Sequence, residues 1–172
     1  MSNSFLKHGE PTIFGNELLA WWRDLERDHA SRANLRRAES PTAVALTAAY
    51  QRLYRRLVEK GWPNDAAKRN DDRLPAIAGL VARIKEDDAG NVPQAMSRSR
   101  KNETEPLVRE LRFRRLLDSP DDDALYLGLR RVLPLLDAKI NVLALADDFL
   151  HWGSSVKRQW AYGYRWPTRK SE

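Results

Sequence analysis

Ser40-Pro41 opens the segment that most constrains this fold. A serine followed directly by proline is an N-cap ahead of the residue best suited to a first helical turn. Gly61 then supplies a C′ glycine. Between them Leu46, Tyr50, Leu53 and Leu57 recur at helical spacing on one face, and Arg52, Arg55 and Arg56 gather on another. The pattern predicts one amphipathic helix from Pro41 to Lys60, with an apolar face that must be covered.

The same punctuation recurs along the chain. Leu18, Trp22 and Leu25 form an apolar stripe within Ile13 to Glu26, and the adjacent Trp21 and Trp22 allow at most one indole to point straight inward. Asp28 to Ala38 reads as a short second helix, and Pro75 to Asp87 as another with Ile77, Leu80, Val81 and Ile84 apolar. Thr104 is expected to cap a helix running to about Asp118, with Pro106 in its first turn. Ser119-Pro120-Asp121-Asp122 caps the next, which Pro134 limits near Leu136. Asn141 caps "VLALADDFLHW", stopped by Gly153, and Ser154 to about Tyr164 is the last helix. No segment alternates as a strand with hairpin turns, and no regular repeat is present.

The expected fold class is therefore all-α, two small helical bundles in tandem. Residues 1–90 form an N-terminal helical bundle, 91–103 a linker loop rich in Pro, Asn and Ser, 104–166 a C-terminal helical bundle and 167–172 a tail. With no cysteine, a disulfide framework, a thiolate metal site and a cysteine nucleophile are excluded. The opening "MSNSFLKHGEPTIF" has no basic region followed by an apolar run, and no apolar stretch approaches the ~20 residues of a membrane span. A cytoplasmic location, with no membrane partner, is expected.

The formal charge is +6 with a pI near 9.8, and arginine greatly outnumbers lysine. Position is more informative than the total. Arg32, Arg36 and Arg37 form one cluster, Arg52, Arg55 and Arg56 a second, and Arg112, Arg114 and Arg115 with Arg109 a third. Arg98, Arg100 and Lys101 lie in the expected loop. Acids gather elsewhere, at Asp71-Asp72, Asp87-Asp88, Asp121 to Asp123 and Asp147-Asp148. A solvated surface normally intersperses signs. Unpaired arginines a turn apart repel mildly until a polyanion neutralises them, and counterion release then drives binding without sequence preference. The competing reading of each cluster is a polar face whose arginine stems cover apolar neighbours.

Other candidates carry less. Asp147 and His151 have the spacing of a metal pair but lack a third ligand, and Asp121-Asp122-Asp123 suits a helix N-terminus better than magnesium. His8 and His29 have no motif around them, and no nucleotide loop or hydrolase signature is present. No catalytic constellation and no cofactor site are found. In "VKRQWAYGYRWPTRK", Trp160, Tyr162, Tyr164 and Trp166 alternate with Lys157, Arg158 and Arg165; such aromatics either stack on bases or close a bundle.

The order of motifs resembles the CasB family, the small subunit of the type I-E CRISPR complex Cascade. Five stretches carry the likeness: "LLAWWRDLERD", "RANLRRAESP", "ELRFRRLLDS", "LYLGLRRVLPLL" and "LADDFLHWGSSVKRQWAYGY". Each is weak alone, but together they span from about Glu17 to Tyr164. The resemblance implies a helical protein with N- and C-terminal bundles and no catalytic activity. Two copies would lie head to tail along the crRNA-bearing backbone, beside other Cascade subunits, and help hold target DNA. Among residues within the matching stretches it points to Arg32, Arg36, Arg37, Arg112, Arg114, Arg115, Arg130, Arg131, Lys157 and Arg158. The alternative from another class is a helical protein–protein adaptor with basic docking surfaces.

Overall fold

A computed structural model describes residues 3–66 and 72–168. Asp71 and residues 169–172 of the expected tail lie outside the described residues. A two-residue antiparallel ribbon, β1 (Leu6–Lys7) and β2 (Glu10–Pro11), turns through His8 and Gly9, both at positive φ. It leads into α1 (Ile13–Asp24), capped by Thr12, whose hydroxyl accepts from the Gly15 amide at 3.1 Å. Asp28 caps α2 (His29–Arg37), accepting from both the amide and the hydroxyl of Ser31 at 3.1 and 2.7 Å.

The single helix expected from Pro41 to Lys60 is two. Ser40 caps α3 (Pro41–Ala45) and Thr47 caps α4 (Ala48–Glu59). Thr47 both donates to the Val44 carbonyl and accepts from the Tyr50 amide, a local pairing that outcompetes helix continuation. The elbow turns Leu46 out to 82% exposure, so it is not part of the buried face formed by Tyr50, Leu53 and Leu57.

The helix expected over Pro75 to Asp87 is α5 (Leu74–Val81), every residue of which is buried. Beyond it, β3 (Glu86–Asp87) pairs in parallel with β4 (Lys139–Ile140). The segment expected as a linker contains a helix, α6 (Val92–Ser97). Asn91 and Gln94 form a reciprocal capping box there, and Val92, Pro93, Ala95 and Met96 are buried. The helix expected from Thr104 starts later, as α7 (Glu110–Leu117). Residues before it pair with the end of α6: Leu107 N–H donates to Arg98 O and Val108 N–H to Met96 O.

Asp121 caps α8 (Asp122–Val132), and a 3-10 turn (Leu133–Leu136) ends at Asp137 in the left-handed region. Asn141 caps α9 (Val142–Leu150), and α10 (Ser154–Gly163) follows Gly153. The fold is thus mainly helical with short strands. One buried cluster runs from Phe5 through α5 to Tyr164, so the two halves share a core. Helix α5 packs against α2, α3, α8 and α9. Both indoles of the Trp21-Trp22 pair are buried, contrary to expectation, because each N–H finds a carbonyl: Ala49 O and Ile84 O, both at 3.0 Å. No described helix is long and apolar enough to cross a membrane.

Candidate nucleic-acid interface

Several arginines are committed within the fold. Arg32, from α2, donates to the Ala82 carbonyl at 3.3 Å and the Ile84 carbonyl at 2.8 Å, just beyond α5. A cation at a helix C-terminus meets the carbonyls left without intrahelical partners. Arg56 binds Glu17 at 3.1 Å and Asp24 at 3.2 Å, tying α4 to α1. Arg52 lies 3.5 Å from Asp28 and donates to Ser31 Oγ. Arg98 binds Asp88 at 2.9 Å and the Lys139 carbonyl at 3.0 Å, fastening the end of α6 beside β4. Arg114 pairs with Glu110 one turn back and lies over the Trp166 ring. Lys157 lies over Trp152.

Three other arginines converge. The Arg36 carbonyl, in the last turn of α2, accepts from Arg83 Nη2 and from Arg130 Nη2, the latter at 3.2 Å. Arg130 also lies over the Tyr126 ring, 5.7 Å from its centroid, and the Tyr126 hydroxyl donates to Ala38 O at 2.8 Å. Close approach is possible because residue 79 is glycine: a Cβ there would meet Tyr126 Oη at 2.8 Å and Val44 Cγ2 at 2.7 Å. Burial first, then the charges of Arg130 and Arg36, lowers Arg83 below the ordinary guanidinium range. Arg32, also beside Arg36, is lowered chiefly by burial. Among the described residues no carboxylate pairs with Arg36, Arg83 or Arg130.

A second group flanks α7. Arg112, Arg115 and Arg131 line a groove of about 340 Å³ between α7 and α8, floored by Leu116, Ala124, Leu127 and Gly128. On the other side of Arg112 and Arg115 lies a groove of about 300 Å³ with Arg109, Leu107, Leu111 and Leu135. Arg109 pairs with Glu105 at 2.7 Å, whereas Arg112, Arg115 and Arg131 have no carboxylate partner among the described residues. The consecutive residues Arg130 and Arg131 therefore join the two groups across α8: one turns to α2, the other to α7.

The remaining sequence candidates are separate. Arg37 is exposed and donates to Asn34 Oδ1 at 2.7 Å. Arg55 is exposed beside Arg52 and Arg56, where Asp24 and Asp28 share the surface. Arg100, Lys101 and Arg158 are exposed. Sequence reasoning missed Arg83; its signal was a lone cation inside the apolar run "LVARI".

The aromatic tail closes the core. Tyr164 stacks on Phe113 with centroids 3.9 Å apart, and Trp160 donates to Asp148 Oδ2 at 2.8 Å. Only Tyr162, 91% exposed, fully faces solvent among these four aromatics. Asp147 accepts from the Phe5 and Leu6 amides, holding the N-terminal ribbon. No group of three or more metal-ligating side chains assembles among the described residues.

A chain in the crystal structure of E. coli Cascade bound to a PAM-containing dsDNA target (32-nt spacer) is similar in fold. Its TM-score is 0.62 at 21% identity, over 85% of this chain and 92% of that chain. No curated protein matches the sequence. The model of the family described as CRISPR-associated protein Cse2 matches residues 31–164, well over half of the 172 residues. The chain belongs to the Cse2 family, that of the CasB small subunit.

Proposed function

We propose that this protein is a non-catalytic subunit of a type I-E Cascade that stabilises target DNA strands in the R-loop by sequence-independent phosphate contacts. The observation that carries this reading is the set of exposed guanidinium groups on α7 and α8, Arg112, Arg115 and Arg131, which have no carboxylate partner among the described residues. They continue through Arg130 to the end of α2. Guide pairing would read the sequence, and these cations would supply only backbone electrostatics. Its partners would be other Cascade subunits, crRNA, target DNA and a second copy of itself. Of the sequence candidates, Arg32, Arg56 and Arg98 would act through the fold, and Arg36, Arg112, Arg115, Arg130 and Arg131 through DNA.

Affinity-tagged protein expressed with its CRISPR locus should co-purify with crRNA, and the R112A/R115A/R131A complex should assemble but release target DNA faster. Normal R-loop lifetime in that assembled variant would remove the phosphate-contact role. A second reading, a helical adaptor, is favoured by Leu111 and Leu127, which are 63% and 39% exposed within the basic grooves. A gel shift with random single- and double-stranded DNA separates the two.

A further inference from the structure

We infer that the junction of α2, α5 and α8 is a phosphate pocket formed by Arg36, Arg83 and Arg130, and that filling it ties the end of α2 to α8. Where the phosphate is a DNA linkage, the inference rests on the nucleic-acid reading above; for a free phosphate it needs only the pocket.

Among the described residues the junction has no carboxylate in an ion pair with its arginines. Elsewhere three partly buried arginines have a carboxylate, Glu17 for Arg56, Asp122 for Arg73 and Asp88 for Arg98, while Arg32 meets two backbone carbonyls. Here, among the described residues, the guanidiniums of Arg83 and Arg130 share one neutral acceptor, the Arg36 carbonyl, and Arg83 also feels the charge of the Arg36 side chain. That carbonyl lies in the last turn of α2, where the helix dipole offers only a fraction of a negative charge. Three full charges are therefore left largely uncompensated.

The donors point the same way. The Nε atoms of Arg83 and Arg130 are both buried and without a hydrogen-bond partner. A charged donor in that state costs free energy, and an anion accepting from it would remove that cost. By swinging off the Arg36 carbonyl, each guanidinium would exchange a neutral acceptor for an ionised one, with bonds roughly twice as strong. The Nε–Nη edge of arginine matches two oxygens of one anion. A tetrahedral phosphate accepts from several directions at once, whereas a planar carboxylate presents one edge. The Tyr126 ring, anchored through its hydroxyl to Ala38, backs the Arg130 guanidinium.

The test uses the full chain. Thermal denaturation is followed while inorganic phosphate replaces chloride at constant ionic strength, and binding of a short single-stranded DNA is measured against salt. Wild-type protein should show a saturable rise in Tm with phosphate. R36Q should lose it; among the described residues the Arg36 side chain makes no hydrogen bond or ion pair, and the variant keeps the backbone carbonyl that Arg83 and Arg130 use. R83Q should lose it too, and should lower the salt slope of DNA binding by about one.

A phosphate-dependent Tm with no change of slope assigns the pocket to a free phosphate. A phosphate-dependent Tm in a protein that binds no DNA keeps the pocket and overturns the nucleic-acid reading. No phosphate-specific shift in the wild type, or a shift that survives in R36Q, overturns the pocket and leaves the α7–α8 contacts standing.

Discussion

Arg32 and Arg83 cross between α2 and the chain just beyond α5 in opposite directions. Arg32 leaves α2 and donates to Ala82 and Ile84 beyond α5; Arg83, lying between those residues, donates back to the Arg36 carbonyl on α2. Each side chain thus serves carbonyls that the other's helix cannot satisfy itself. The arginine-rich stretch after α1 therefore has two roles in the fold: Arg32 stitches it down, and its terminal carbonyl gathers further cations.

Replacing Arg32 by alanine separates these roles. The Ala82 carbonyl loses its side-chain partner, while Ile84 O keeps the Trp22 indole. Urea denaturation should show a loss of about 1–3 kcal/mol. The salt slope of DNA binding should stay unchanged. A lower slope at full stability would place Arg32 on DNA instead.

The triple variant R112A/R115A/R131A should behave in the opposite way. Six cations, these three with Arg36, Arg83 and Arg130, give a slope of log K against log salt of roughly −4 to −5. Removing three should reduce its magnitude by about 2–3. Stability should change by no more than about 0.5 kcal/mol per substitution, because all three are exposed.

Asp148 should impose a pH dependence on stability. Burial pushes its carboxyl up to about 6, partly opposed by the Trp160 indole N–H. The folded-state value lies above the unfolded one, so the protonated form is favoured by folding. Its stabilisation is complete below the ordinary aspartate value of 3.8 and is lost as pH rises through about 6. The loss is about 3 kcal/mol at ~1.4 kcal/mol per pH unit. Asp148→Asn keeps an acceptor for Trp160 and removes the titration. Denaturation midpoints measured from pH 4 to 8 should therefore fall for wild type and flatten for the variant; parallel profiles would assign the dependence to other groups.

Gly79→Ala should disturb the arginine junction through packing alone. The added methyl would press on Tyr126 and Val44, both fully buried. Overpacking of this kind costs about 1–3 kcal/mol. Because Tyr126 lies under Arg130, the variant should also weaken any phosphate-dependent rise in Tm.

What was legible in the sequence was local. Ser40, Asp28, Asp121 and Asn141 stand at helix starts as capping chemistry dictates. The break at Thr47 was hidden because a threonine inside a helical pattern can either continue the helix or bond its own backbone. Helix α6 was hidden behind loop-like composition; Asn91 and Gln94 reveal it only as a reciprocal pair. Among the basic residues, number and segregation were plain, but partners were not. Arg56 finds Glu17 from far along the chain, and Arg83 gains its direction from the end of α5 at Val81, short of the expected Asp87. Long-range pairing of this kind has no signature in a single sequence.

The complete burial of α5 has a consequence for heredity and engineering. Its surface is divided among α2 and α3 before it and α8 and α9 after it. No cut through the chain leaves a fragment with that helix fully clothed, so a chimera joining the front of one homologue to the back of another would inherit mismatched seams. Compensating changes should then be traded across the middle of the gene, and the protein should evolve as one block.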